Sequence, residues 1–89
     1  MKERTIDMEL KDTIELMTSE DYKDRFKAEY FQTKIRYEKL SSMLIKKEAG
    51  TLGFEPMCSL RYLVEQQRHM REYIRILEIR AEIEKISLS

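Results

Sequence analysis

Cysteine, histidine and proline each occur once in this 89-residue sequence, glycine occurs twice, and tryptophan is missing. A single cysteine excludes an internal disulfide, which suits a reducing cytoplasm. One histidine and one cysteine are too few for a zinc site, and we expect neither a metal nor a cofactor. Gly50 and Gly53 do not form a phosphate-binding loop. Charges interrupt every apolar run well before the length of a membrane span, so no membrane contact is expected.

The sequence also lacks a catalytic constellation. His69 and Cys58 would need tertiary contact to act as a pair, and no third group is placed to orient them. We interpret His69 as a helix-surface residue near an interface and Cys58 as a small cap or packing residue. The prediction is a protein that is not an enzyme.

Charge is balanced overall, with 17 basic and 17 acidic residues, but it is unevenly distributed. Residues 1–21 carry three bases and seven acids, and residues 22–49 carry eight bases and four acids. The acidic arm either lies near the basic helix or is solvated; alternatively, it shields a surface that binds a polyanion. A nucleic-acid partner is disfavoured, because it would normally require more net positive charge.

Two long amphipathic helices account for most of the remaining sequence. Thr18 and Asp21 match a capping box, and Lys46, Lys47 and Gly50 suit a helix end, so the first helix is predicted over about residues 19–49. Its apolar seam comprises Tyr22, Phe26, Tyr30, Thr33, Tyr37, Leu40 and Leu44, with Phe31, Ile35 and Ile45 as a thinner second stripe.

The second helix is predicted over about residues 59–87, with Cys58 or Ser59 as its cap, and it is apolar on two opposite faces. One face comprises Leu60, Leu63, Met70, Ile74, Leu77, Ala81 and Leu88. The other comprises Ile76, Ile79, Ile83 and Ile86, which are the candidate oligomer interface.

These patterns predict an all-α fold. Residues 18–89 should form an antiparallel two-helix, coiled-coil-like hairpin, with Leu52 and Phe54 closing its connected end. Residues 1–17 should form an acidic arm or a short helix, the latter favoured over Glu9 to Leu16. One seam between two helices is a small core, so the isoleucine face should pack on another copy, giving a dimeric four-helix bundle or a larger ring.

Arginine is concentrated in the second helix and lysine in the first. Arg68, Arg71 and Arg75, with His69 and Tyr73 nearby, are the candidate ligand-binding residues for an anion pocket between chains, because guanidinium groups bind phosphate or carboxylate bidentately. The alternative is that the arginines need no ligand. The pairs Arg61–Glu65, Arg68–Glu72 and Arg80–Glu84 have the i,i+4 spacing of helix ion pairs.

Residues 20–30, 34–40, 65–67 and 70–80 together resemble a family of crAss-phage-related small helical hairpin proteins of phages and prophages. The resemblance covers about residues 19–86 and leaves out the acidic arm. It implies an accessory protein made in the cytoplasm of a bacterial host, and it transfers no catalytic residue.

Small oligomeric phage proteins include inhibitors of bacterial immunity, and this likeness in size and architecture gives two functional hypotheses. The first is a homo-oligomer that sequesters an anionic nucleotide signal of the cyclic nucleotide or cyclic ADP-ribose type. The second is an inhibitor or scaffold that binds a host defence protein through its helical surface. A signal-degrading enzyme using His69 and Glu72, or a plain structural phage component, would be the remaining alternatives.

Overall fold

The structure is a computed structural model that describes residues 8–88; the first seven residues of the predicted N-terminal arm, and residue 89, lie outside the described residues. A 3₁₀ turn, Leu10–Thr13, continues into a one-turn helix α1, Ile14–Met17. Two long helices follow, α2 over Tyr22–Ala49 and α3 over Leu60–Glu84. No strand occurs between residues 8 and 88, and the prediction of an all-α fold is confirmed.

The start of α2 differs from the predicted capping box. Asp21 is the N-cap, and its Oδ1 accepts a hydrogen bond from the Lys23 N–H at 3.0 Å. Thr18 instead ends α1, because its N–H and its hydroxyl both donate to the Ile14 carbonyl at 3.1 and 2.9 Å. The prediction for Thr18 was wrong because a separate helix ends at this residue, just before α2 begins.

Both long helices end in a left-handed residue, and α2 has both hydrogen bonds of the Schellman motif. Gly50, with φ 79°, ends α2 as predicted, and Thr51 N–H donates to the Lys46 carbonyl at 2.9 Å. At the end of α3 the left-handed residue is Lys85, with φ 60°. The second helix therefore ends at Glu84, three residues before the predicted end.

The start of α2 lies beside the end of α3, so the two long helices run antiparallel. Four side-chain hydrogen bonds join them: Tyr22–Glu84 at 2.8 Å, Arg80–Tyr22 at 2.8 Å, Tyr30–Glu78 at 2.8 Å and Gln67–Ser41 at 2.9 Å. The buried core between them comprises Phe26, Tyr30, Ile74, Leu77, Ala81 and Ile86.

The opposite face of α2 is covered by the chain's own N-terminal segment. Thr13 is fully buried there, and its Oγ1 accepts a hydrogen bond from Gln32 Nε2 at 2.8 Å. Ala28 and Ile35 flank Gln32 on the same helix face and are 2% and 5% exposed. The second stripe of the first helix therefore has an intramolecular neighbour at Ile35, whereas Ile45 remains 68% exposed.

The connected end of α2 and α3 is more open than predicted. Leu52 is half-buried, but Phe54 is 58% exposed and Met57 is fully exposed. Phe54 therefore does not close this end, and the space between the helices remains accessible there. None of the helices in residues 8–88 is long and apolar enough to cross a membrane.

Candidate functional site

Helix α3 has one buried face and one face without a neighbour in the described chain. Its start is fixed by Ser59, whose Oγ accepts a hydrogen bond from the Arg61 N–H at 3.2 Å, so Ser59 rather than Cys58 is the cap. Ile74, Leu77 and Ala81 are at most 5% exposed and face α2. Successive helical residues are about 100° apart, so the outward face presents charged residues in its first half and isoleucines in its second half.

Arg68, Arg71 and Arg75 lie together on the outside of α3. Steps of three and four residues place them within an arc of about 60° and one turn apart. All three are exposed. The helix therefore aligns three guanidinium groups along one side, and each of them can bind a phosphate or carboxylate group bidentately.

Two of these arginines pair with acidic residues three positions earlier. Arg68 Nη2 lies 3.8 Å from Glu65 Oε2, and Arg75 Nε lies 3.4 Å from Glu72 Oε1. The i,i+3 spacing also places helix side chains side by side, so the i,i+4 pattern alone does not predict either pair. Both pairs are exposed, and such pairs contribute about 0–1 kcal/mol, so a ligand can displace them.

Arg71 differs from its two neighbours. It is exposed, and in the described part of the chain no hydrogen bond or ion pair engages its guanidinium group. Arg71 lacks an ion pair there because none of its helix neighbours three or four positions away, residues 67, 68, 74 and 75, is acidic. Arg71 is therefore available for an external anion without breaking an internal contact.

His69 and Tyr73 differ in their position relative to the arginines within one chain. His69 Nε2 lies 3.4 Å from Arg68 Nη2, so His69 does adjoin one arginine. Tyr73 is 41% exposed, but it is two residues after Arg71 and so lies about 200° around the helix. Within one chain Tyr73 therefore cannot share a pocket with Arg71.

The predicted isoleucine face consists of three residues rather than four. Ile76, Ile79 and Ile83 are 48%, 44% and 72% exposed. Ile86 is 5% exposed, because the left-handed Lys85 turns the chain back and Ile86 packs in the core with Ala81. Ile86 cannot contribute its side chain to an external interface while the chain keeps this packing.

Arg80 has a structural role that the sequence showed only in part. Its predicted pair with Glu84 is present at 3.3 Å. Its Nη2 also donates to the Tyr22 hydroxyl at 2.8 Å, and its guanidinium group lies 4.9 Å from the centre of the Phe26 ring. The hydrogen bond to Glu84 raises the pKa of both Tyr22 and Arg80. These contacts hold the start of α2 against the end of α3.

The other two i,i+4 pairs, Arg61–Glu65 and Arg68–Glu72, do not form. Arg61 lies over the Tyr62 ring at 5.2 Å, and Arg68 pairs with Glu65 instead. Cys58 is exposed, with its thiol free. Within residues 8–88 no group of three or more histidine, cysteine, aspartate or glutamate side chains could hold a metal ion.

The fold and this surface define a small all-helical protein with one long, arginine-bearing helix face. A family model described as Sequestin matches residues 20–83, and the chain belongs to the Sequestin family. The match spans α2 and nearly all of α3, and α1 precedes it. No curated protein and no solved structure matches the chain.

Proposed function

We propose that this protein is a non-enzymatic oligomer that binds and sequesters an anionic nucleotide signal, of the cyclic nucleotide or cyclic ADP-ribose type. The observation that carries the proposal is the row of Arg68, Arg71 and Arg75, in which Arg71 is unpaired within residues 8–88. The name Sequestin is consistent with sequestration.

The proposed ligand is anionic because the arginines in the row have weak or no internal partners. Arginine binds phosphate with a planar pair of N–H donors, which distinguishes it from a lysine cluster. A neutral ligand could accept hydrogen bonds from these donors, but it would lack the charge that makes such bonds about twice as strong. His69, next to Arg68, adds a further polar contact at the same end of the row.

The proposed oligomer forms through the exposed isoleucines, with an antiparallel helical hairpin as the repeating unit. Ile76, Ile79 and Ile83 lie on one side of α3 and are at least 44% exposed. A second copy would bury this side and close a helical bundle. The predicted contact of Tyr73 with the arginines would require such an assembly, because within one chain Tyr73 lies on a different side of α3.

Calorimetric titration with a panel of cyclic nucleotides and cyclic ADP-ribose isomers tests ligand binding. We expect at least one panel member to bind, and Arg71→Gln to weaken that binding by about tenfold or more, the effect of losing a charge-assisted contact. Arg36→Gln is the matched control, because it removes an exposed arginine from α2. Failure of the folded protein to bind any member of the panel would contradict the proposal.

Light scattering tests the oligomer separately. Ile79→Glu should convert it to monomer, because an unpaired charge cannot be buried in the interface. Glu82→Gln, a change on α3 outside the isoleucine side, should leave the assembly intact. A monomeric wild-type protein at micromolar concentration would refute the proposed oligomer.

Mass spectrometry tests the absence of catalysis: the bound nucleotide should be recovered unchanged.

The second candidate is an inhibitor or scaffold that binds a host protein, and the exposed isoleucines favour it. A contiguous apolar patch on a small protein is suited to a protein partner as well as to another copy. A pull-down from bacterial lysate with wild-type and Ile79→Glu baits separates the candidates. The proposed site of action is the bacterial cytoplasm, where a protein made by a phage would counter immunity. If the protein sequesters a nucleotide, neither bait should capture a host protein specifically.

A further inference from the structure

A cavity of about 470 Å³ lies between α2 and α3 at their connected end. Leu44 and Ile45 line it from α2, and Leu60 and Val64 line it from α3. Its volume falls within the range of about 300–1,000 Å³ that is typical of small-molecule sites. The sequence pattern did not reveal it, because Leu44 and Leu60 were assigned to the seam, Ile45 was assigned to the second stripe, and Val64 was assigned to neither.

The cavity exists because a hydrogen bond joins the two helices at its inner end, whereas the connection between the helices leaves its outer end uncovered. The hydrogen bond between Gln67 and Ser41, at 2.9 Å, forms its inner end. Beyond that bond, Leu60 and Val64 remain 45% and 48% exposed, and the connection between the helices does not cover them. The apolar walls are therefore accessible to a ligand without any rearrangement of the helices.

The inner end of the cavity offers an amide edge. Gln67 donates one N–H to the Ser41 hydroxyl, and a glutamine side chain has a second N–H and a carbonyl oxygen with further capacity. Such an edge matches the donor and acceptor pair that adenine presents, as in glutamine contacts to adenine in nucleic acids. Apolar walls with a few polar groups at one end are suited to a planar base.

Arg71 lies on the same side of α3 as the cavity wall. Leu60, Val64, Gln67 and Arg71 follow the i, i+4, i+7, i+11 spacing of one helix face, so Arg71 is one turn beyond Gln67, at about 6 Å along the axis. It is unpaired within the described residues. A base held against Gln67 would thus place an attached phosphate beside a free guanidinium group.

We propose that this cavity is the base-binding subsite of the sequestered nucleotide, with Gln67 reading the base edge and Arg71 binding the adjoining phosphate. The inference rests on the proposed function and names the site for it. Lys47, at the rim, supplies a second cation; its ion pair with Glu55 is 3.3 Å long, and Glu55 is largely exposed, so the pair is readily exchanged. Glu48 is the one acidic residue on the wall.

A second cavity, between Tyr30 and Leu88, shows the opposite chemistry. Glu78 and Glu82 line it, and Glu78 accepts the hydrogen bond of the Tyr30 hydroxyl. Two carboxylates repel a phosphate. A phosphate-bearing nucleotide, which fits the cavity beside Arg71, is therefore disfavoured in the second cavity.

The test is titration of the full-length protein with the same nucleotide panel. Val64→Trp fills the cavity, and Gln67→Leu removes the amide edge with little change in volume. Both should weaken binding of the adenine-containing probe about tenfold or more, a loss of roughly 1.4 kcal/mol or greater. Tyr62→Trp, an equally exposed position on α3 outside the cavity, should change affinity by no more than about twofold.

The outcomes separate this inference from the proposed function. Binding to the wild-type protein that Val64→Trp and Gln67→Leu leave unchanged would overturn the cavity assignment alone. No binding by the wild-type protein would overturn both. Because Val64→Trp could unfold the chain, amide NMR spectra of the wild-type protein provide an independent reading: the probe should shift the Gln67 side-chain amide, and an unshifted amide in the bound state would contradict the assignment.

Discussion

Replacing Thr13 with valine should release the N-terminal segment from α2 without unfolding the rest of the protein. Thr13→Val keeps the shape of the buried side chain but removes its hydroxyl, which accepts from Gln32 at 2.8 Å and donates to the Leu10 carbonyl at 2.8 Å. Thr13 is 0% exposed, so no water can replace the lost oxygen while the segment stays packed.

The expected cost follows from the two hydrogen bonds. Gln32 is half-buried, so leaving its amide without this acceptor costs less than the full penalty, and we expect about 1–2 kcal/mol. A single 3₁₀ turn followed by a four-residue helix cannot be stable alone, because helix nucleation is unfavourable. Its helical state depends on α2, so the cost should appear as local opening of residues 10–17.

Hydrogen exchange measures this opening directly. In Thr13→Val, the backbone amides of α1 should exchange about 5–30-fold faster, the factor that 1–2 kcal/mol implies, while those in the middle of α3 should change little. Thr18→Val is the matched control, since it removes an exposed hydroxyl bonded only to the Ile14 carbonyl, at 2.9 Å. Equal exchange in the wild-type protein and Thr13→Val would refute the docking of this segment through Gln32.

Three further predictions concern stability. Leu77→Ala should lower the free energy of unfolding by about 2–5 kcal/mol in urea titrations, because Leu77 is 0% exposed, whereas Leu60→Ala at a 45% exposed position should cost clearly less. Lys85→Gly should raise the free energy of unfolding by about 0.5–1 kcal/mol, because glycine adopts φ 60° without a Cβ clash. Lys85→Ala keeps the Cβ and should not raise the free energy of unfolding. Burial, then the hydrogen bond and charge of Glu78, raise the pKa of Tyr30 above its ordinary 10.0, so the neutral form is favoured on folding. This stabilisation should be complete below pH 10 and should decline as the pH rises above 10. The thermal midpoint of Tyr30→Phe should therefore decline less over the same pH range than that of the wild-type protein. An identical decline would contradict the assignment of this pH dependence to Tyr30.

Periodicity predicted the helices well because it reports which side of a helix is apolar. Phe26, Tyr30, Ile74 and Leu77 were expected in the shared core and are buried there. Gly50 was expected at the end of the first long helix because glycine alone adopts φ > 0 without cost. Lysine carries no such signal, which is why the turn at Lys85, and with it the burial of Ile86, could not be read from the sequence.

The candidate site was less predictable, because it depends on which of several possible neighbours each side chain takes. Glu65 could pair with Arg61 or Arg68, and both spacings are compatible with a helix. The structure selects Arg68, and Arg61 lies over Tyr62. The cavity at the connected end depends on how the helices diverge, and this follows from tertiary packing that periodicity does not record.

The arrangement of the three helices explains why binding should concentrate on α3. Helix α2 is covered on one face by α3 and on the opposite face by the N-terminal segment, through Thr13 and Gln32. Helix α3 has only α2 beside it in the described chain, and its outside carries both the arginine row and the isoleucines. A second copy docked on Ile79 would therefore lie within about two turns of Arg71, so ligand binding and self-association should be energetically coupled rather than independent. Because such coupling is reciprocal, ligand binding should raise the self-association constant by the same factor by which self-association raises the ligand affinity.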